Sequence, residues 1–154
     1  MSITAERKAE LIKAYAQGES DTASFASQAT GVDANLATGA STGQGTDTLA
    51  NFENLTGSGQ DDFFTGDAGA NAFDGGTGGT DTVRFNAVSQ GVTASLLTGT
   101  ATGQGSDSLT GIENLTGSDQ DDTLTGDGGP NGLSGLDGSD KLIGGLGADG
   151  FFLG

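Results

Sequence analysis

Large apolar residues recur every nine positions in the last third of the chain: Leu115, Leu124, Leu133, Leu142 and Phe151. Nine residues make about two and a half turns of an α-helix and an odd number of steps along a β-strand. Either regular structure would therefore place successive members of the series on opposite faces. A chain that buries the whole series in one core must change direction once in each repeat. The spacing predicts short strands joined by tight turns.

The residues between these apolar positions are typical of turns. The chain holds 30 glycines and one proline among 154 residues, and an interior glycine costs a helix about 1 kcal/mol relative to alanine. Only 32% of the residues are hydrophobic, against about 45–50% in ordinary domains. We therefore expect an all-β, turn-rich fold without a large conventional core.

A longer repeat encloses the shorter one. Residues 21–80 and 81–140 align without a gap and are identical at roughly half of their positions, as in DTLANFENLTGSGQDDFFTGDAGAN and DSLTGIENLTGSDQDDTLTGDGGPN. A fixed period is the signature of a solenoid, in which each unit buries its apolar face against the next. We therefore divide the chain into residues 1–20 and residues 21–154, the latter holding two 60-residue units, 21–80 and 81–140, and a partial third.

The N-terminal segment differs in character. The stretch TAERKAELIKAYAQ, from Thr4 to Gln17, has no glycine, and it places Leu11, Ile12 and Tyr15 on one helical stripe. Thr4 can cap such a helix. The pattern predicts one short amphipathic α-helix before the repeats.

The string MSITAERKAELIKAYAQGESDT resembles the start of the small-subunit ribosomal protein of the fifteenth family, a four-helix protein that binds ribosomal RNA. In that family a Gly-Asp-Thr-Gly-Ser stretch after the first helix contacts RNA, and only Asp21 and Thr22 of it occur here. The other three helices and their basic residues have no counterpart. Ribosomal RNA binding is therefore a minor alternative, and we interpret residues 1–22 as a splice to unrelated sequence, genuine or from sequence assembly.

The last repeat, GGLGADGFF from Gly144 to Phe152, fits the pattern G-G-x-G-x-D-x-U-x, where U is a large apolar residue. This pattern is the calcium-binding repeat of RTX proteins, and the chain from about residue 18 onward resembles that family. The resemblance implies a parallel β-roll, in which a six-residue turn precedes a three-residue strand and two nonapeptides complete one coil. Partial copies occur in both units: GLDGSDKLI, GDGGPNGLS, GSDQDDTLT, GSGQDDFFT, GDAGANAFD, GGTGGTDTV, TGQGTDTLA and TGQGSDSLT.

The repeats also supply candidate ligands for Ca²⁺. Glycines permit turns with positive φ and leave carbonyl oxygens accessible, and the aspartates add charge. Because Ca²⁺ takes about six to eight oxygens, two turns must share each ion. The first-position candidates are Gly117, Gly126, Gly135 and Gly144. The sixth-position candidates are Asp47, Asp62, Asn71, Asp81, Asp107, Asp122, Asn131, Asp140 and Asp149.

Turns on the same edge of an RTX β-roll are eighteen residues apart. The resemblance therefore pairs Asp122 with Asp140, Asn131 with Asp149, and Asp62 with Asp81 across one inserted residue. The alternative for Asn71 and Asn131 is a purely hydrogen-bonding role in the turns.

Charge and composition exclude several other functions. Residues 21–154 carry eighteen acidic and two basic residues, so we expect no binding to nucleic acid or anionic membranes. The chain has no Cys and no His, which excludes disulfides, the familiar zinc, iron–sulfur and copper sites, and a nucleophile–His triad. No apolar run is long enough for a membrane span, and no signal peptide precedes the repeats. We predict that the segment is not an enzyme.

The resulting expectation is a calcium-binding β-roll secreted by a bacterium. The resemblance implies export through a type I channel, directed by a C-terminal signal that we do not find before Gly154, so we interpret the chain as a piece of a larger exported protein. The alternatives are a calcium-stiffened adhesin or surface-layer array, and the C-terminal part of an enzyme. An ice-binding solenoid is a further alternative, although the sequence shows no sustained ladder of Thr-x-Thr steps.

Overall fold

The computed structural model describes residues 2–4, 20–43 and 45–154. All regular structure in these residues is β, and most strands are three residues long. The strands are β1 (Ser2–Thr4), β2 (Thr22–Ser24), β3 (Asp33–Asn35), β4 (Ala40–Thr42), β5 (Thr46–Thr48), β6 (Asn54–Thr56), β7 (Phe63–Thr65), β8 (Ala72–Asp74), β9 (Thr82–Arg84), β10 (Thr93–Ser95), β11 (Thr100–Thr102), β12 (Ser106–Thr110), β13 (Asn114–Thr116), β14 (Thr123–Thr125), β15 (Gly132–Leu136), β16 (Lys141–Ile143) and β17 (Gly150–Leu153).

The predicted N-terminal helix extends from residue 4 to residue 17. Of these residues, only Thr4 lies in the described part of the chain. Thr4, predicted to cap the helix, is instead the last residue of β1. This strand pairs in parallel with β2, and Thr4 is in register with Ser24. Without β1, strand β2 would be the edge of the sheet, and its outer backbone N–H and C=O groups would lack partners. Pairing with β1 occupies these groups, which explains why residues 2–4 form a strand.

The strands form two sheets. Sheet A has nine strands in the order β1-β2-β6-β8-β12-β11-β10-β14-β16, and sheet B has eight in the order β17-β15-β13-β9-β7-β3-β4-β5. From β5 to β9, successive strands alternate between the sheets. Parallel neighbours within a sheet are eighteen residues apart in β14 and β16, where Thr123 is in register with Lys141. The register between these strands equals the length of two nonapeptides.

Two antiparallel meanders interrupt the parallel order. Strands β3, β4 and β5 form one in sheet B, and β10, β11 and β12 form the other in sheet A. The segments predicted to be calcium-binding turns around Asp47 and Asp107 belong to these meanders, so both residues lie within strands, in β5 and β12. Burial alternates along β12, where Asp107 and Leu109 are buried and the residues between and beside them are exposed, as expected of a strand with one face toward the core.

Equivalent strands of the two 60-residue units lie in opposite sheets. In the first unit β2, β6 and β8 lie in sheet A, whereas the equivalent strands β9, β13 and β15 of the second unit lie in sheet B. Each unit crosses between the sheets an odd number of times. A feature repeated at the same place in both units therefore faces opposite sides of the molecule.

The core lies between the sheets and holds the middle residues of most strands, together with apolar residues that flank the strands, such as Phe25, Phe52 and Phe85. Phe64 of sheet B stacks on Phe73 of sheet A with ring centroids 5.9 Å apart. Of the nine-residue series, Leu115, Leu124 and Leu133 are 0% exposed, which confirms their predicted burial. Leu142 is half-buried, and Phe151, in the edge strand β17, is 51% exposed.

The second and fourth positions of three turns have positive φ, as the glycine pattern predicts. In the last repeat Gly145 has φ of 95° and Gly147 of 117°. Leu136 stands at the second position of its turn and still adopts a φ of 68°, a conformation that costs a non-glycine residue about 1–2 kcal/mol. The turn geometry therefore prevails over the local preference of the side chain.

Close stacking of the coils makes one glycine substitution much more damaging than another. A Cβ on Gly91 would overlap the carbonyl oxygen of Asp121 in the next coil, whereas a Cβ on Gly128 would have no heavy atom within 4 Å. We expect Gly91→Ala to lower the free energy of unfolding by about 1–3 kcal/mol, because backbone must move. Gly128→Ala should change it by less than about 0.5 kcal/mol. Denaturation under identical solution conditions measures both, and equal effects would contradict the stacking.

Candidate metal site in the stacked turns

The side chain at the sixth position of each turn is bonded to backbone N–H groups. Ser118 N donates to Asp122 Oδ2 at 2.6 Å, and Val92 N donates to Asp122 Oδ1 at 2.6 Å. The same two contacts occur at Asp62 in the first unit. Asp122 is 2% and Asp62 0% exposed. These carboxylates therefore satisfy backbone donors that would otherwise be buried without partners.

The predicted sixth-position pairs are neighbours along the edges of the sheets. In each pair the backbone N–H of the first residue donates to the Oδ1 atom of the second. The distances are 2.9 Å for Asp122–Asp140, 3.0 Å for Asn131–Asp149 and 2.8 Å for Asp62–Asp81. Each predicted pair is therefore joined by a hydrogen bond, and its role toward a metal stays a prediction.

The asparagines take the same place as the aspartates. Asp67 N donates to Asn71 Oδ1 at 3.0 Å, and Asn131 Oδ1 accepts the equivalent bond in its own turn. Asn71 N in turn donates to Asp107 Oδ1 at 3.0 Å. Asp107 thus makes the contact of a sixth-position residue from within β12. Asp47, its equivalent in β5, is half-buried.

Two glutamates complete these rows of contacts where a meander interrupts the nonapeptides. Asp81 N donates to Glu113 Oε2 at 2.8 Å, and Asp21 N donates to Glu53 Oε2 at 2.9 Å. Neither glutamate was predicted as a site residue, although both occur in the same E-N-L-T string of the two units. We call the full set the polar ladder: Glu53, Asp62, Asn71, Asp81, Asp107, Glu113, Asp122, Asn131, Asp140 and Asp149.

First-position glycines create small spaces lined by oxygen between adjacent coils. A Cβ on Gly117 would overlap Asp122 Oδ2 and lie 3.1 Å from the carbonyl oxygen of Gly135. A Cβ on Gly126 would overlap the carbonyl oxygen of Gly144 and the side-chain oxygen at the sixth position of its own turn. The spaces at Gly117 and Gly126 thus bring a side-chain oxygen and a carbonyl oxygen of the next coil together. At Gly135 and Gly144, the other two first-position glycines, the nearest atoms belong to the side chains of Asp140 and Asp149.

Burial and mutual repulsion disfavour the charged form of two ladder carboxylates. Burial, together with the charges of Asp62, Glu113 and Asp61, raises the pKa of Asp81 to about 7, although the N–H of Asp62 opposes the shift. Burial and the charge of Asp67 likewise raise the pKa of Asp107. The ladder therefore favours a bound proton, or another positive charge, at these positions.

Basic side chains of the described residues do not neutralise the turns. Arg84 and Lys141 are the only basic residues after position 20, and they lie in β9 and β16. Arg84 forms an ion pair with Asp33 and lies over the ring of Phe63, 5.0 Å from its centroid. As far as the described part of the chain is concerned, a charge that neutralises the ladder would therefore have to come from solution.

Within the described residues, no three acidic, His or Cys side chains come together as a metal-binding group. A cation in these turns would consequently take much of its coordination from backbone carbonyls, which are ordinary ligands for Ca²⁺. The same part of the chain has no helix long and apolar enough to cross a membrane.

Comparison with known proteins does not assign the chain to a family. No protein-family model matches the chain, and no curated protein matches it significantly.

The raised pKa of Asp81 predicts a pH dependence in the presence of chelator. Because the folded chain binds this proton more tightly than the unfolded chain, stability is gained as the pH falls from about 7 toward 4. We expect the folded fraction, measured by far-ultraviolet circular dichroism, to be larger at about pH 5 than at about pH 8. Asp81→Asn keeps an acceptor for the N–H of Asp62 and should weaken the dependence. A folded fraction that increases with pH would contradict this interpretation.

Proposed function

We propose that the chain binds Ca²⁺ between its stacked turns, as an RTX-type β-roll whose folding is coupled to the metal. The observation that carries the proposal is the juxtaposition of ladder carboxylates with glycine carbonyls of the next coil, best formed around Gly117, Asp122 and Gly135. The parallel register of eighteen residues supports the same assignment.

Charge supplies the thermodynamic reason. Neighbouring strands of a sheet are about 4.8 Å apart, so ladder carboxylates in adjacent coils repel one another at short range. Burial weakens the screening of this repulsion by water. A divalent cation placed among them would replace repulsion by attraction, which links binding to the stability of the fold.

Ligand chemistry favours calcium over other metals. The chain offers only oxygen donors, since it has no Cys and no His, and such a set suits hard cations. Mg²⁺ demands near-ideal octahedral geometry and keeps several of its waters, whereas Ca²⁺ accepts irregular sets of carbonyl and carboxylate oxygens. The turns provide both kinds of oxygen, and each carboxylate has lone pairs beyond those used by its backbone donors.

Three pairs are the best candidates to hold the metal: Asp122 with Asp140, Asn131 with Asp149, and Asp62 with Asp81. The pair Asp122–Asp140 brings two charges, and Gly135 adds a carbonyl oxygen beside it. The pair Asn131–Asp149 has one charge fewer, so we expect it to bind more weakly. We assign Asn131 chiefly to hydrogen bonding.

The proposal places the protein outside a bacterial cell, since calcium sites of modest affinity fill where the ion is abundant. Extracellular modules bind Ca²⁺ with dissociation constants of about 10⁻⁴–10⁻³ M. Secretion by a type I route, as a piece of a larger exported protein, follows from the resemblance of the repeats to the RTX family.

The ribosomal alternative gains no support from Asp21 and Thr22, the two residues shared with the RNA-contacting stretch. The carbonyl oxygen of Asp21 accepts a bond from Asn54 N at 3.0 Å. Thr22 begins β2 and is in register with Asn54 of β6. Both residues are therefore used by the sheet, and we do not extend the proposal to RNA.

Calcium should increase the β structure of the chain. In chelator at neutral pH the charged repeats should be largely disordered, and added Ca²⁺ should restore the strands because it neutralises the ladder. A calcium titration followed by circular dichroism measures the transition, and we expect a midpoint of roughly 10⁻⁴–10⁻³ M. A fully ordered spectrum in chelator that calcium leaves unchanged would rule out coupled folding.

A charge-only substitution separates ligand from structural residue. Asp140→Asn keeps an oxygen that can accept from Asp122 N, as the natural Asn131 does in its own turn, but it removes a charge. We expect it to raise the calcium midpoint several-fold, and Asp149→Asn to do the same. Isothermal titration should show less heat or fewer sites.

Asp137 provides the matched control, since it is an exposed residue in the same turn as Asp140. Asp137→Asn removes the same charge and should leave the midpoint nearly unchanged. Equal shifts at Asp137 and Asp140 would mean that calcium responds only to the overall charge of the chain.

A further inference from the structure

The outer face of sheet A presents an array of hydroxyl groups that no part of the proposed calcium site uses. Strands β12, β11, β10 and β14 are consecutive in this sheet. The middle residues of β11, β10 and β14 are buried in the core, as are Asp107 and Leu109 of β12. The outward positions of these four strands hold only serine and threonine, at least partly exposed. We call them the hydroxyl face: Thr93, Ser95, Thr100, Thr102, Ser106, Ser108, Thr110, Thr123 and Thr125.

Sheet pairing arranges all of these side chains except Thr110 in two rows. In one row Thr102 is in register with Ser106 on one side and Thr93 on the other, and Thr93 is in register with Thr123. Neighbours in a row are about 4.8 Å apart, and the two rows are about 6.6 Å apart, from the spacing of strands and the rise along a strand. The face is therefore a regular two-dimensional lattice of hydroxyl groups.

The face is chemically uniform and stiff. A hydroxyl group donates one hydrogen bond and accepts two, so it forms the same kinds of hydrogen bond as a water molecule. Threonine is restricted about χ1, which limits the motion of its hydroxyl and methyl groups. Ala94, Ala101 and Leu124 hold the strands from behind, at 0%, 1% and 0% exposure. Such a lattice can hold a first layer of water at fixed positions.

Charged groups border the face and do not enter it. Asp74 of β8 is in register with Thr110 at one side, and Lys141 of β16 is in register with Thr123 at the other. The outward positions between them carry neither charge nor aromatic ring. An ionic ligand would find no opposite charge there, and a sugar polymer would find no ring to stack on. Ordered water is the partner that the chemistry of the face fits best.

The first unit supplies an internal comparison. Its equivalent strands lie in sheet B, where the outward positions include Asp33, Asn35, Ala40 and Phe63. The hydroxyl lattice is thus absent from the equivalent place, although both units build the same meander. The uniform composition belongs to the second unit and is not a requirement of the fold.

We propose that the hydroxyl face of sheet A adsorbs to the surface of ice. The repeated Thr and Ser groups would join the outermost layer of water as fixed hydrogen-bonding positions, and the threonine methyl groups would pack among them. The proposal goes beyond calcium binding, on which it depends only so far as calcium maintains the fold.

Partition into a slowly growing ice surface tests the proposal, with recrystallisation of fine-grained ice as a second readout. The full chain is used with calcium in excess, and circular dichroism confirms that it is folded. We expect the protein to be enriched in the ice and to slow recrystallisation, whereas a folded protein that the ice excludes would overturn the proposal. Since the assay requires only a folded chain, its result does not depend on whether calcium binding drives folding.

Thr102→Tyr provides the sharper test. Thr102 is exposed in the middle strand of the second meander, so a tyrosine there would project from the centre of the face, and a strand tolerates tyrosine well. We expect enrichment in ice to fall several-fold. Thr42→Tyr makes the same change at the exposed equivalent position of β4, in sheet B, and should have no effect. Equal losses in the two variants, or none in Thr102→Tyr, would overturn the assignment to this face.

Discussion

The rest of the structure depends on one interaction, the hydrogen bonds that backbone N–H groups donate to the side chain at the sixth position of a turn. Because most strands are only three residues long, each coil must turn at the end of every strand. These turns bury part of the backbone. Asp62 and Asp122 each accept from their own turn and from a neighbouring segment. These hydrogen bonds join adjacent coils at the edges of the sheets, where the hydrogen bonds between strands end. The apolar core can then form between the sheets.

This solution creates an electrostatic problem. The bond requires only an acceptor, as Asn71 and Asn131 show, yet most ladder positions hold a carboxylate. Stacked carboxylates oppose folding unless a positive charge is bound. At Asp81, burial and, to a smaller extent, the neighbouring carboxylates raise the pKa to about 7, which favours such a charge. Aspartate is therefore costly where asparagine would serve the backbone alone. Its prevalence is the physical argument that charge at these positions has a use beyond hydrogen bonding.

Local periodicity made part of this structure predictable. The nine-residue spacing was sufficient to predict turns and the burial of Leu115, Leu124 and Leu133. The glycine-rich composition was also needed for the all-β class, and the contacts between residues eighteen apart followed from the resemblance to RTX repeats. The meanders were not predicted, because TGQGSDSLT fits both a degenerate nonapeptide and an alternating strand. Glu113 was also missed, since its contact with the backbone of Asp81 spans 32 residues and no local pattern encodes it.

The hydroxyl face also could not be predicted from local sequence patterns. Its Thr-x-Thr and Thr-x-Ser steps are separated by irregular intervals in the sequence, so no ladder is visible there. They become neighbours only because a meander places β12, β11 and β10 between β8 and β14. The odd number of crossings in each unit then puts the first and second meanders on opposite sheets, where their outward residues are free to differ. A repeat that alternates sheets can therefore keep one kind of turn while its two faces acquire different chemistry.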